Sequence, residues 1–178
     1  MGRRLLLLRV SILIAIPIGF VSAQAQGAQA QEPRASAPAT FTVKGDVSTP
    51  LTLKAEDLAG MPREKVSVSE EDGTTVEYEG VALREILKRA GAPLGNQLRG
   101  KALASYVLAK AHDDYEVVFT LAEVDAAFAN EQILVADKRD GKPLFGYQGP
   151  FHLVCPNDKA GARSMRSLET LEIVRLRK

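Results

Sequence analysis

The chain has 178 residues, of which 46% are hydrophobic and 25% charged, with no Trp and a net charge of +1. That suits one globular domain with a short tail. The single Cys excludes an internal disulfide, and no Cys-x-x-Cys or His-x-x-x-His spacing offers a zinc site.

The N-terminus reads as a leader. Arg3, Arg4 and Arg9 precede an apolar run from Val10 to Val21, which closes on the small residues Ser22, Ala23 and Ala25. A basic start, a short apolar stretch and small residues at its end make a secretory signal peptide, residues 1–23, cleaved after Ala23 or Ala25. The run is shorter than the roughly 18–20 apolar residues a membrane span needs, so no span is expected after cleavage and the protein is expected to be periplasmic or secreted. Arg3-Arg4 followed by leucines also resembles a twin-arginine signal, and Sec export stays equally open. Loss of the three leader arginines turns the net charge slightly negative, which gives no pull towards nucleic acid. Residues 24–40 are rich in Ala, Gln, Pro and Ser with no apolar period and read as a flexible linker. The folded domain is expected over 41–178.

Phe41, Val43 and Val47 sit at strand spacing, and Leu51-Thr52-Leu53 is a second extended piece. Ala55 to Met61 reads as a helical turn with Glu56 and Asp57 early and Pro62 beyond its end. Val66 to Val68 and Thr74 to Tyr78 alternate across Glu71-Asp72-Gly73, a hairpin. Val81 to Ala90 carries Leu83, Ile86, Leu87 and Ala90 at helical spacing, with Gly91 placed to stop it. A loop from Ala92 to Lys101 follows. Ala102 to Ala109 and Glu116 to Thr120 read as paired strands joined around His112 to Tyr115, and Leu121 to Phe128 as a short helix that Asn130 ends. Leu134-Val135-Ala136 is a strand entering the tight turn Asp140-Gly141. Gly149-Pro150 opens a second apolar run, Phe151 to Val154, which Pro156 ends because proline cannot donate to a ladder. A basic loop, Asn157 to Arg166, precedes the last strand around Leu171, Ile173, Val174 and Leu176. Short strands mixed with modest helices predict an α+β domain, a mixed β-sheet with short helices, and not alternating βαβ units.

Gly161, Arg163, Ser164 and Arg166 are the candidate site. A glycine beside guanidinium forks can cradle an anion, whereas a solvated basic loop is the plain alternative. Cys155 shares a face with Phe151 and Leu153 and is expected in the core. His152 should point to the opposite sheet face, packed or hydrogen-bonded. His112 with Asp113 and Asp114 reads as a turn. Tyr106, Tyr115 and Tyr147 are candidates to line a ligand pocket, although strand aromatics more often build core. No nucleophile elbow, P-loop or Rossmann fingerprint is present.

The order Gly141-x-Pro143-Leu144, Gly149-Pro150, Leu153-Val154, Pro156, Gly161-Ala162-Arg163-Ser164, Arg166, Leu168 and Leu171-Glu172-Ile173 is similar to the end of the molybdopterin-binding domain of the sulfite oxidase family. The resemblance reaches back through Tyr78 to Leu87 and Asp114 to Phe119, over roughly 41–178. It implies the fold of that domain, with Gly161, Arg163, Ser164 and Arg166 holding the phosphate and pterin of a molybdopterin cofactor. The family also carries a molybdenum-ligating cysteine between its first strands and the helix near Val81. Here that interval is the hairpin Val66 to Tyr78, without Cys, and Ser167 stands where the family often has an aromatic. Loss of the thiolate removes the metal's main protein anchor. With no haem or iron–sulfur motif, redox activity would need an electron-transfer or other periplasmic protein partner. Two readings therefore stay open: a domain that binds a pterin or anionic cofactor through the loop, or a cofactor-free binding or adaptor module.

Overall fold

The computed structural model describes residues 40–70, 72–129 and 131–176. The expected signal peptide, all of the linker but Thr40, and Asn130 lie outside them. In chain order come strand β1 (Thr40–Gly45), β2 (Leu51–Lys54), helix α1 (Ala55–Ala59), β3 (Arg63–Ser69), β4 (Thr75–Ala82), α2 (Leu83–Arg89), β5 (Ser105–Ala111), β6 (Glu116–Thr120), α3 (Leu121–Val124), β7 (Leu134–Arg139), β8 (Lys142–Pro143), β9 (His152–Val154) and β10 (Leu168–Arg175). Two sheets result. The first runs β2-β1-β10-β5-β6 and the second β3-β4-β7, with β8 and β9 both pairing the far edge of β7. Among the described residues β1 and β10 pair in parallel and the other named ladders are antiparallel. The architecture is the expected α+β mixture of strands and few short helices.

One apolar cluster joins the inner faces of both sheets to α2, with Phe41, Val107, Phe119 and Leu171 from the first sheet, Ile86 and Leu87 from the helix, and Val135 and Leu153 from the second. A smaller cluster covers the outer face of the second sheet: Val66, Val76, Tyr78, Leu134, Ala136, Leu144 and Val154. The strand period of two sends Phe151 and Leu153 to the main core and His152 and Val154 to the outer face. Cys155 is buried in the main core, as its spacing predicts.

Several boundaries differ from the sequence reading. Val81 and Ala82 belong to β4 and pair Val135 and Leu134, so α2 starts at Leu83. The cause is Gly80, whose missing Cβ would stand 2.1 Å from the Val135 carbonyl oxygen; only glycine lets β4 and β7 close up there, and the ladder runs on. The stop at Gly91 holds. Gly91 takes φ +73, with Gly91 N–H donating to the Lys88 carbonyl and Ala92 N–H to that of Leu87, both at 3.0 Å, a Schellman cap. Ala102 to Ala104 form a 3-10 turn, because the ladder with β10 ends at Ser105 opposite Arg175. The helix from Leu121 ends at Val124 and not near Phe128, because the Asp125 carboxylate captures the backbone N–H groups of Ala127 and Gly95. At Asp140-Gly141 both residues have positive φ, 49° and 74°, the turn that matches hairpin twist.

Candidate functional site

The basic loop folds back as a 3-10 turn over Gly161–Arg163, and its two arginines face different surroundings. Arg163 is fully engaged. Its Nε and Nη2 donate to the two Asp158 oxygens at 2.7 and 2.6 Å, and Nη1 donates to Glu123 at 2.5 Å. The guanidinium also lies 5.2 Å from the Phe119 ring centroid. Asp158 first, then Glu123, holds Arg163 still further above its ordinary range. Ser164 is engaged too: its Oγ accepts from the Cys155 N–H at 3.0 Å. The Cys155 thiol points at the Arg163 carbonyl, and burial pushes its pKa up to about 12. Tyr115 donates its hydroxyl to the Ala162 carbonyl at 2.5 Å. A side chain at Gly161 would meet no protein atom.

Arg166 is exposed and has no ion pair among the described residues. Its guanidinium lies 4.9 Å from the centroid of the Tyr147 ring. Ser167, at φ 49°, donates its hydroxyl to the carbonyls of Tyr147 and Gly149 and so pins this segment to the loop's end. Arg166 therefore meets the outer face of the second sheet, where a polar group interrupts the smaller apolar cluster. There the buried His152 ring stands edge-on to Tyr78 at 5.1 Å. Its Nδ1 has no hydrogen-bond partner among the described residues, so there His152 is packed through its ring. Burial first, then Arg166 and Arg139, lowers its pKa to about 4. The Tyr78 hydroxyl donates to Glu70 at 3.4 Å, and Arg139 reaches Glu70 at 3.2 Å and Gln148 at 3.2 Å.

The structure thus assembles Glu70, Tyr78, Arg139, Gln148 and His152 next to Arg166, and leaves Arg163 and Ser164 on the other side of the loop. Glu70 and Tyr78 come from the β3–β4 hairpin, the interval in which the resembling family carries its cysteine. Sequence reasoning passed over Glu70, Arg139 and Gln148; only the turn residues after Arg139 hinted that it sits at a hairpin end. Two of the tyrosines are not core: Tyr115 is 46% exposed in the β5–β6 connection, where the sequence places it, and Tyr147 is 70% exposed on the 3-10 turn Gly146–Gln148, where it lines an open groove. His112 behaves as a turn residue: its Nδ1 meets Glu169 at 2.5 Å in the open, and that bond raises its pKa.

A molybdenum centre does not fit these residues. Cys155, the sole thiol, is protonated and lies in the main core, across the second sheet from His152. Glu70, on the substituting hairpin, is already held by Arg139 and Tyr78. An anion at Arg166 does fit, since that guanidinium has donors to spare.

Residues 30–178 match a family model described as the oxidoreductase molybdopterin binding domain. The fold is similar to the crystal structure of the sulfane dehydrogenase SoxCD from Paracoccus pantotrophus, with a TM-score of 0.58 at 21% identity. That likeness covers 75% of this chain and 37% of the other, so the chain spans little more than a third of that relative. No curated protein sequence matches.

Proposed function

This chain belongs to the oxidoreductase molybdopterin-binding domain family, and from that premise we propose that it is an exported binding module that takes an anionic ligand at Arg166 and performs no molybdenum redox chemistry. What supports the reading is the division of labour in the loop. The resemblance gives both arginines to the cofactor, yet Arg163 already serves Asp158 and Glu123. A guanidinium that faces two carboxylates is part of a net negative group, and a phosphate brought to it is repelled. Arg166 keeps its charge unneutralised among the described residues beside a neutral His152 and an exposed Tyr147. Export rests on the arginine-led apolar stretch that ends in Ser22 and Ala23, and it is tested by sequencing the N-terminus of the mature protein, expected at Gln24 or Gln26.

The deciding experiment takes the full chain from the periplasm of a host that makes the molybdenum cofactor. Elemental analysis and pterin fluorescence should find neither metal nor pterin in stoichiometric amount. Pyrophosphate should bind weakly and in a salt-sensitive way, and Arg166→Ala should abolish that binding. Stoichiometric molybdenum and pterin would overturn the proposal in favour of a redox domain that hands electrons to a periplasmic partner.

A further inference from the structure

Beyond the anion contact, the segment after the β7–β8 turn builds a feature that Arg166 alone does not use. Phe145 is 83% exposed and Tyr147 70%, while Leu144 behind them is buried in the outer cluster. Gly146 between the two aromatics takes φ +61, a conformation that costs glycine little and other residues more. The ring surfaces, with Pro143 and Leu144, line a groove of about 420 Å³. A volume of that order suits a ligand of one or two rings. Two large aromatics held out in water forgo the burial that usually stabilises such side chains, which marks a surface made to be covered.

The charges around the groove are uneven. Arg139 and Lys142 line it, and Arg166 stacks on Tyr147. Arg139 is held by Glu70 and Gln148. Lys142 is exposed and, like Arg166, has no ion pair among the described residues. The one acid that lines the groove, Asp140, accepts from the Glu77 N–H at 3.0 Å. An apolar aromatic wall with a free ammonium at its edge selects for a flat ring that carries a negative group.

We propose that this groove binds an aromatic anion, with the ring against Phe145 and Tyr147 and the carboxylate or sulfonate on Lys142. The inference rests on the reading of the domain as a binding module with no resident cofactor. A neutral ring would forgo the ammonium, and a bare anion would leave the aromatic wall uncovered. Arg166 on Tyr147 adds to the preference, because a cation on the ring fixes the ring's position and draws negative charge towards it.

The test titrates the full mature chain with naphthalene-1-sulfonate, 1-naphthalenemethanol and methanesulfonate, followed by NMR shifts of the Lys142 to Gln148 backbone. Naphthalene-1-sulfonate should bind more tightly than either fragment, and Phe145→Ala and Lys142→Gln should each weaken it by about tenfold, the loss of one central contact. Both side chains are exposed, so the variants should fold as the parent does. Pyrophosphate binding at Arg166 should survive Phe145→Ala. Absence of naphthalene-1-sulfonate binding while pyrophosphate still binds would overturn this inference and leave the reading of the module intact. Equal binding of the neutral alcohol, or indifference to Lys142→Gln, would overturn it as well. Recovery of molybdenum and pterin from the native host would overturn the underlying reading instead.

Discussion

Arg163 and Arg166 stand three residues apart in one loop, and their neighbourhoods teach opposite lessons. Arg163 reaches back to the first sheet's edge, where Glu123 of α3 and Asp158 enclose its fork and Phe119 backs it. Arg166 reaches out over the second sheet's outer face, where Tyr147 is its neighbour and no carboxylate answers it among the described residues. The chemistry of the side chain is the same in both places. What differs is counter-charge within reach: one guanidinium is a strut of the fold, and the other is available to a ligand. A motif position therefore says where a cation stands, while the acids around it decide what it can do.

The largest expected effect tests the open end through His152. Its folded pKa of about 4 lies below the usual value for histidine near 6.5. The depressed value means that the unfolded chain takes up a proton first as pH falls. His152 then contributes stability that is full above about pH 6.5 and lost as pH falls towards 4, on the order of 3 kcal/mol. Urea midpoints at pH 7 and pH 4.5 for the parent and His152→Gln should show the steeper fall in the parent. Parallel curves would mean that His152 is solvated beside Arg166 and Arg139, and the outer face would be more open than its packing indicates.

The closed end is tested by Arg163→Met, which leaves Asp158 and Glu123 facing each other without their cation. Both acids are partly shielded, with side chains 16% and 26% exposed, so the loss should be about 2 kcal/mol, below the figure for a fully buried pair. The same variant should let a disulfide reagent reach Cys155 faster, because the Arg163 fork on Asp158 and Glu123 anchors the loop whose main chain covers the thiol. A midpoint unchanged from the parent would make Arg163 as free as Arg166.

Much of the framework was legible. The alternation in Val66 to Val68 and Thr74 to Tyr78, the Asp140-Gly141 turn and the stop at Gly91 are local chemistry, and local chemistry reads from the chain. The face of Cys155 followed from the period of two, as did that of His152. What could not be read were meetings between distant residues. Glu123 lies far from Arg163 in the chain, and Glu70 far from Arg139; nothing local brings them together. Gly80 misled for the same reason, because its role is close approach to Val135 on another strand. Tyr147 sits on a 3-10 turn, Gly146–Gln148, and lines an open groove, a choice between core and pocket that its neighbours in sequence do not decide.

The smallest expected effect on stability is the sharpest test of the contrast. Arg166→Ala removes an exposed cation without an ion pair among the described residues, so the unfolding free energy from urea curves should change by no more than about 0.5 kcal/mol. The same change should be visible at His152. Arg166 is one of the two cations that hold this imidazole's pKa down, and without it an NMR titration should place His152 higher than in the parent, while burial and Arg139 still keep it below an ordinary histidine. A variant that is barely destabilised, yet shifts a buried neighbour's titration and loses pyrophosphate, marks Arg166 as a charge held ready for a ligand. A loss of stability as large as that of Arg163→Met would instead make both arginines struts and leave the outer face without its anion site.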